Sequence, residues 1–249
     1  MDLIVCMKRV PDSAARIQIA ADGKSIETGS LEHVISPYDE MALERALQLQ
    51  EEHGGSVTVA CLGPAAATKE IRQALAMGAG QAVHLRNDAG YRDPLTTASL
   101  LADALRGRPY DLLLFGRQSI DADNSAVGVM VAGLLGLPAV TLATKIEIAD
   151  GRVVVHREAE GGTEVVEVAL PVVVTAQRGL AEPRYPSIKG IMQAKKKPVE
   201  EIDATSADIT VELERLDPPP ERTGGRIVGE GVEAVPELVR LLRSEAKVL

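Results

Sequence analysis

Four histidines (His33, His53, His84 and His156) and two cysteines (Cys6 and Cys61) are the obvious candidates for nucleophilic, acid–base or metal chemistry in this sequence. They are scattered. No His/Cys cluster has metal-ligand spacing, and no HExxH, GxSxG, GxxxxGK[ST] or post-strand GxGxxG is present. A triad brought together only by folding would be the remaining route to bond-making. The residue patterns instead mark loops where a ligand or a partner would be held.

The first such loop is Ser36-Pro37-Tyr38-Asp39, which resembles a capping box. Ser36 would cap a helix, Pro37 would sit in its first turn and Asp39 would reach back. The same pattern serves a plain helix start with no further role. The second is Gly63-Pro64, a strand-to-helix turn where a ligand can approach the backbone closely. The third is Gly116-Arg117-Gln118-Ser119-Ile120-Asp121-Ala122-Asp123-Asn124-Ser125-Ala126-Val127-Gly128, between an apolar strand and an uncharged helix. Free N–H groups and the dipole at a helix start favour a phosphate or similar anion. Asp121 and Asp123 would repel that anion if they faced it, so they are expected to cap backbone or accept from ribose and adenine donors. An acidic loop that merely caps a core helix is the alternative.

The fourth segment runs from Ala181 through Glu182, Pro183, Arg184, Tyr185, Pro186, Ser187, Ile188, Lys189, Gly190, Ile191 and Met192 to Gln193, Ala194, Lys195, Lys196 and Lys197. Its prolines and Gly190 predict an ordered loop. Ile188, Ile191 and Met192 would be costly apolar exposures unless a partner or the core covers them. The lysines fit either a solvated face or a patch that steers an acidic partner.

Strands and helices alternate ahead of these loops. Continuous apolar runs at 3–7, 57–62, 82–85 and 112–115 read as strands covered on both faces. Helical spacing at 41–51, 68–77 and 94–105 separates them. The pattern predicts an α/β fold: a doubly wound, mostly parallel, Rossmann-like sheet of right-handed βαβ units. A buried helix is expected at 125–135, then a Gly-Leu-Pro turn and a strand from Ala139. From Lys145 the pattern changes. Ile146 and Ile148 precede an Asp150-Gly151 turn answered by 153–155, and Gly161-Gly162 turns into 164–169, an antiparallel excursion. A last core strand follows at 172–175. Residues 1–198 are expected to form this nucleotide-binding domain and 199–249 an extended arm. In the arm, Val235, Leu238, Val239, Leu241 and Leu242 make a terminal helical stripe. Such an arm packs either on its own domain or on another chain.

Composition narrows the classes. The 249-residue chain has 27 Lys plus Arg against 36 Asp plus Glu, a formal charge of −9 that disfavours nucleic acid and anionic lipid. With one Phe, four Tyr and no Trp, it lacks the rings for base stacking or an interfacial belt. The uncharged run of 21 residues from Asn124 to Thr144 approaches bilayer length, but Gly128, Gly133, Gly136 and Pro138 interrupt it, so no membrane insertion is expected. Two cysteines are too few for a disulfide scaffold, and the N-terminus does not read as a signal peptide. A cytoplasmic protein is expected.

Taken together, KRVPD at 8–12, SPYDEMALERAL at 36–47, GRQSIDAD at 116–123 and EPRYPSIKGIMQAKKK at 182–197 resemble the beta subunit of electron transfer flavoprotein in order and spacing. The resemblance implies a carrier subunit with no catalytic residues of its own, paired with an alpha subunit that holds most of the redox-active FAD. It also implies AMP bound structurally against Cys6, Ser36–Asp39, Leu62 and the 116–127 loop. The segment with Pro183, Arg184, Tyr185, Ile188, Ile191, Met192, Lys195, Lys196 and Lys197 would dock partner proteins, with Ile188 as apolar anchor. Electrons would pass from acyl-CoA-type dehydrogenases, as in fatty acid oxidation, through FAD to a quinone oxidoreductase, and the arm would embrace the alpha subunit. Ser36, Ser125 and Val127 replace the Asn, Asn and Thr common in AMP-binding members. Val127-Gly128 resembles the electron-bifurcating branch, whose beta subunit carries a second FAD in the AMP position, although Ala122-Asp123-Asn124 departs from that branch. A stand-alone nucleotide hydrolase would need a phosphate loop after the first strand, where Lys8-Arg9-Val10-Pro11-Asp12 stands instead.

Overall fold

The computed structural model describes residues 1–149, 151–204, 211–220 and 224–249. The apolar run at the N-terminus forms β1 (Asp2–Met7), and its side chains alternate between two cores. Leu3, Val5 and Met7 enter one cluster, Ile4 and Cys6 the other. Burial on both faces is why the run is continuously apolar. The same holds for β4 (Ser56–Gly63), β5 (Gln81–Arg86), β6 (Leu112–Gly116) and β10 (Val172–Ala176). Two short strands not expected from sequence, β2 (Arg9–Pro11) and β3 (His33–Ile35), pair antiparallel just beyond β1.

Helices α1 (Pro37–His53) and α2 (Thr68–Met77) bury Leu43, Leu47, Ile71 and Leu75 in the first cluster. On the opposite face, α3 (Pro94–Leu105) and α4 (Val127–Leu135) bury Leu101, Leu105, Val131 and Ala132. The sheet is therefore doubly wound, as the periodicity predicts. Asp93 starts α3 by accepting from the Leu95 and Thr96 amides. Gly136, in the left-handed region at φ 70, ends α4.

Among the described residues the main sheet has nine strands in the order β11-β5-β4-β1-β6-β10-β7-β8-β9. Here β7 spans Ala139–Ala149, β8 Arg152–Ala159, β9 Gly162–Ala169 and β11 Val199–Asp203. The strand from Ala139 and the first arm of the antiparallel excursion prove to be one 11-residue strand. Its first part pairs parallel with β10 and its second part antiparallel with β8. The register shifts next to Leu142, whose φ of 60 is unusual for a bulky residue. Of the hairpin turn, Gly151 takes φ 73 and Asp150 lies outside the described residues.

Residues 199–203, expected at the start of the arm, instead form the edge strand β11, parallel to β5. The chain divides into compact units at Met1–Leu216 and Asp217–Leu249. In the second unit Pro236 sits in the first turn of α6 (Val235–Leu241), and Leu241 is buried. Among the described residues no helix is long and apolar enough to cross a membrane.

Candidate functional site

From β1 the sheet grows outward through β4 and β5, then β6 returns to β1's other side. Strand order reverses between β1 and β6, and ligands of open α/β sheets bind in the crevice outside such a reversal. The Asp39 carboxylate lies at that crevice and joins its two walls. Its Oδ2 accepts from the Lys8 amide beyond β1 and its Oδ1 from the Gly116 amide at the end of β6, both at 2.8 Å. Burial pushes this carboxyl up to about 7, against the opposing pull of the two amides and the Lys8 charge.

The capping box is thus corrected. Ser36 starts α1 through its carbonyl, which accepts from the Asp39 and Glu40 amides, but its side chain makes no cap bond. Asp39 is too short and too deeply placed to reach back, so it serves the strand ends instead. Ser36 Oγ is left fully buried without a hydrogen-bond partner. Buried hydroxyls are normally satisfied, and this one stands as an exception at the crevice. Pro37 occupies the first turn of α1, and Tyr38 lies beneath the Arg117 guanidinium, 5.9 Å from its ring centroid.

The 116–127 loop is ordered by its own side chains. Lys8 Nζ pairs with Asp121 at 2.7 Å and donates to Ser119 Oγ. Gln118 donates to Asp123 at 2.7 Å and accepts from Ser125 Oγ and Arg117 Nε. Asp123 and Ser125 take left-handed φ values of 49 and 50, which turn the chain sharply into α4. Ile120 is half-buried, whereas Ala122 and Asn124 are exposed. Helix α4 begins at Val127, two residues later than expected, because Ser125 lies in that turn. No side chain caps its start, beside half-buried Ala126. A β-carbon on Gly128 would lie 3.1 Å from Phe115 and Thr175, so glycine lets α4 ride low on the sheet. Cys6 and Leu62 are buried at strand ends facing the second core, and burial raises the Cys6 thiol far above its usual range, which leaves it unreactive.

The segment at 182–197 is not a loop throughout, because Ile188–Ala194 form a helix, α5, capped by Ser187 Oγ accepting from the Gly190 amide. Tyr185 is 96% exposed and Ile188 81%, with Met192 and Ile191 also largely in solvent. Lys189, Lys195 and Lys196 are exposed around them. Lys197 and Arg184 do not belong to a free docking face. Lys197 donates to the Leu75 and Ala79 carbonyls, and Arg184 binds Glu44 and Glu51. Pro183 is half-buried beside that pair.

With the two sites placed, comparison with known proteins decides the family. The electron transfer flavoprotein domain model matches residues 24–207. The chain is 42% identical over 259 residues to the electron transfer flavoprotein subunit beta of Bacillus subtilis (strain 168), covering all of both chains. It is 38% identical to the subunit beta of Syntrophomonas wolfei, covering all of this chain and 98% of that one, and 36% identical to that of Bos taurus, covering 98% of each. The chain belongs to the electron transfer flavoprotein beta-subunit family.

Membership in the electron transfer flavoprotein family makes this an electron-transport protein. In such a protein the flavin carries the redox chemistry. Among the described residues no group of His, Cys, Asp or Glu is arranged to hold a metal. Sequence reading missed Lys8 as a site residue, although KRVPD follows the first strand directly. It also missed Gln177, which accepts from Arg117 at 3.3 Å and donates to Glu158. Nothing in the local sequence marks Gln177, because the chain reaches the crevice there only through β10. Two surface clefts of about 430 Å³ each lie away from the crevice, one around Asp12, Arg16 and Glu32, the other around Arg45, His53 and Glu147.

Proposed function

We propose that this chain is the scaffolding and docking half of a heterodimer whose alpha subunit carries most of the FAD, and that AMP occupies the crevice as a structural ligand. The observation that carries the proposal is the buried, unpartnered Ser36 Oγ at the start of α1, together with the uncapped start of α4 that follows β6, at the strand-order reversal. In this reading Cys6, Ser36–Asp39, Leu62 and the 116–127 loop enclose the nucleotide. Lys8 and Gln118 engage Asp121 and Asp123 and so reduce their repulsion of a phosphate. FAD, when bound, stores the transferred electrons. This chain's own residues position and shield it.

Electrons enter from acyl-CoA-type dehydrogenases that dock on α5 and leave toward a quinone oxidoreductase. Unit 217–249 embraces the alpha subunit, a role supported by Ile227 and Val232, each 86% exposed. The deciding experiment purifies the chain with its alpha subunit, releases the ligands with acid and quantifies flavin and nucleotide. One FAD and one AMP per heterodimer is the expected result. Two FAD would move the chain to the electron-bifurcating branch, and an absent nucleotide would overturn the crevice assignment.

Ile188→Ala provides a second test. Truncating this largely exposed isoleucine to alanine removes most of the apolar area a partner would cover, about 1.4 kcal/mol, so the KM for the dehydrogenase is expected to rise roughly tenfold. Bound flavin and subunit pairing should be unchanged. Loss of flavin would return this residue to a role in folding.

A further inference from the structure

The exposed apolar residues of α5 sit on a helix of seven residues, too short to hold its shape in water unaided. Three cations fasten it. Arg184, just ahead of α5, grips two carboxylates of α1. Its Nε and one terminal nitrogen meet Glu44 at 2.7 and 2.8 Å, and the other terminal nitrogen meets Glu51 at 2.6 Å. Glu44 is 3% exposed and also accepts from Gln48, so this end of the clamp is set in the core surface. At the far end the fastening is reciprocal. Arg72 of α2 donates to the Ala194 and Lys197 carbonyls that close α5, and Lys197 donates back to Leu75 and Ala79 at the end of α2. Each helix terminus thus receives a cation from the other, where the dipole favours positive charge. Gly190 completes the contact. A β-carbon there would lie 2.5 Å from the Ala76 carbonyl, so only glycine lets α5 close on α2.

We infer that Arg184 and Arg72 are positioning residues that hold α5 preformed, so that Ile188 and Met192 meet a partner without first being ordered. The inference rests on the docking role proposed for α5. Binding by a preordered element avoids the entropic cost of fixing side chains and backbone at the moment of encounter. A partner that matches this surface presents an apolar cleft rimmed by carboxylates, complementary to Lys189, Lys195 and Lys196.

The test uses the purified heterodimer, with an acyl-CoA dehydrogenase as electron donor and amide hydrogen exchange as the conformational readout. Arg184→Met is expected to speed exchange at the Ile191, Lys196 and Lys197 amides and to raise the KM for the dehydrogenase about tenfold, with kcat within about twofold and bound flavin unchanged. Arg184→Lys, which keeps the charge but loses the fork, should fall between. Glu51→Gln, at a largely exposed partner, is a milder form of the same change should Arg184→Met not fold. Faster exchange with an unchanged KM would overturn the inference, as would unchanged exchange. If Ile188→Ala leaves the KM unchanged, the docking role itself fails. If Ile188→Ala raises it and Arg184→Met does not, only the positioning inference falls.

Discussion

Gly116→Ala is expected to cost the fold about 3 kcal/mol, near the top of what overpacking produces. The reason is steric and local. A β-carbon at 116 would stand 2.5 Å from Asp39 Oδ1, 2.7 Å from Tyr38 Cβ and 2.9 Å from the Asp39 amide nitrogen. Two of those atoms are held by the start of α1, which cannot retreat without breaking the Asp39 bridge between the ends of β1 and β6. Gly133→Ala is the control. Gly133 lies inside α4 with nothing within 4 Å of the added carbon, so that change should stabilise by up to about 1 kcal/mol. Urea unfolding of both variants checks the pair. A Gly116→Ala midpoint equal to wild type would mean that the crevice walls are looser than the structure places them.

Asp39 should make the fold less stable as pH rises. Its carboxyl, pushed up to about 7 from 3.8, holds its proton in the folded chain over a range where the unfolded chain has released it. The folded state binds more protons there, so stability falls by at most about 1.4 kcal/mol per pH unit from roughly pH 4 to pH 7 and levels off above. The accumulated loss is at most about 4 kcal/mol. Asp39→Asn cannot titrate, and its amide nitrogen cannot accept from the Lys8 or Gly116 amide. At pH 4 the variant should therefore be less stable than wild type by about 1–3 kcal/mol, the cost of a stranded buried donor. The gap should close, and then reverse, as pH rises. His33, held below its usual value mainly by burial, titrates alike in both proteins and cancels in the difference. A variant-minus-wild-type difference that stays flat from pH 4 to 8 would refute this account of Asp39.

The two sites differ in how well their sequence announces them. At the crevice, a glycine after an apolar run and a Ser-Pro helix start are local signals, and the structure brings Asp39 and Gly116 together there. The partner of Asp39 is not a local property. A carboxylate three residues after Ser36 reads as a reciprocal cap, yet it bonds to amides 31 residues before it and 77 after it. At 182–197, prolines and a lysine run read as an ordered loop with a charged face. From 140 and 133 residues away in sequence, Glu44 and Glu51 take Arg184 out of that face, and the end of α2 takes Lys197. Charge type alone cannot separate a steering lysine from one that caps a neighbouring helix.

The sequence by itself determined the α/β alternation, the strand cores and the family, because apolar periodicity and motif spacing are written along the chain. Only the tertiary structure decided which loops share the crevice, that residues 199–203 complete the sheet, and which cations remain free. Those outcomes depend on strand order and on contacts between residues scores of positions apart, and no short window of sequence contains both partners.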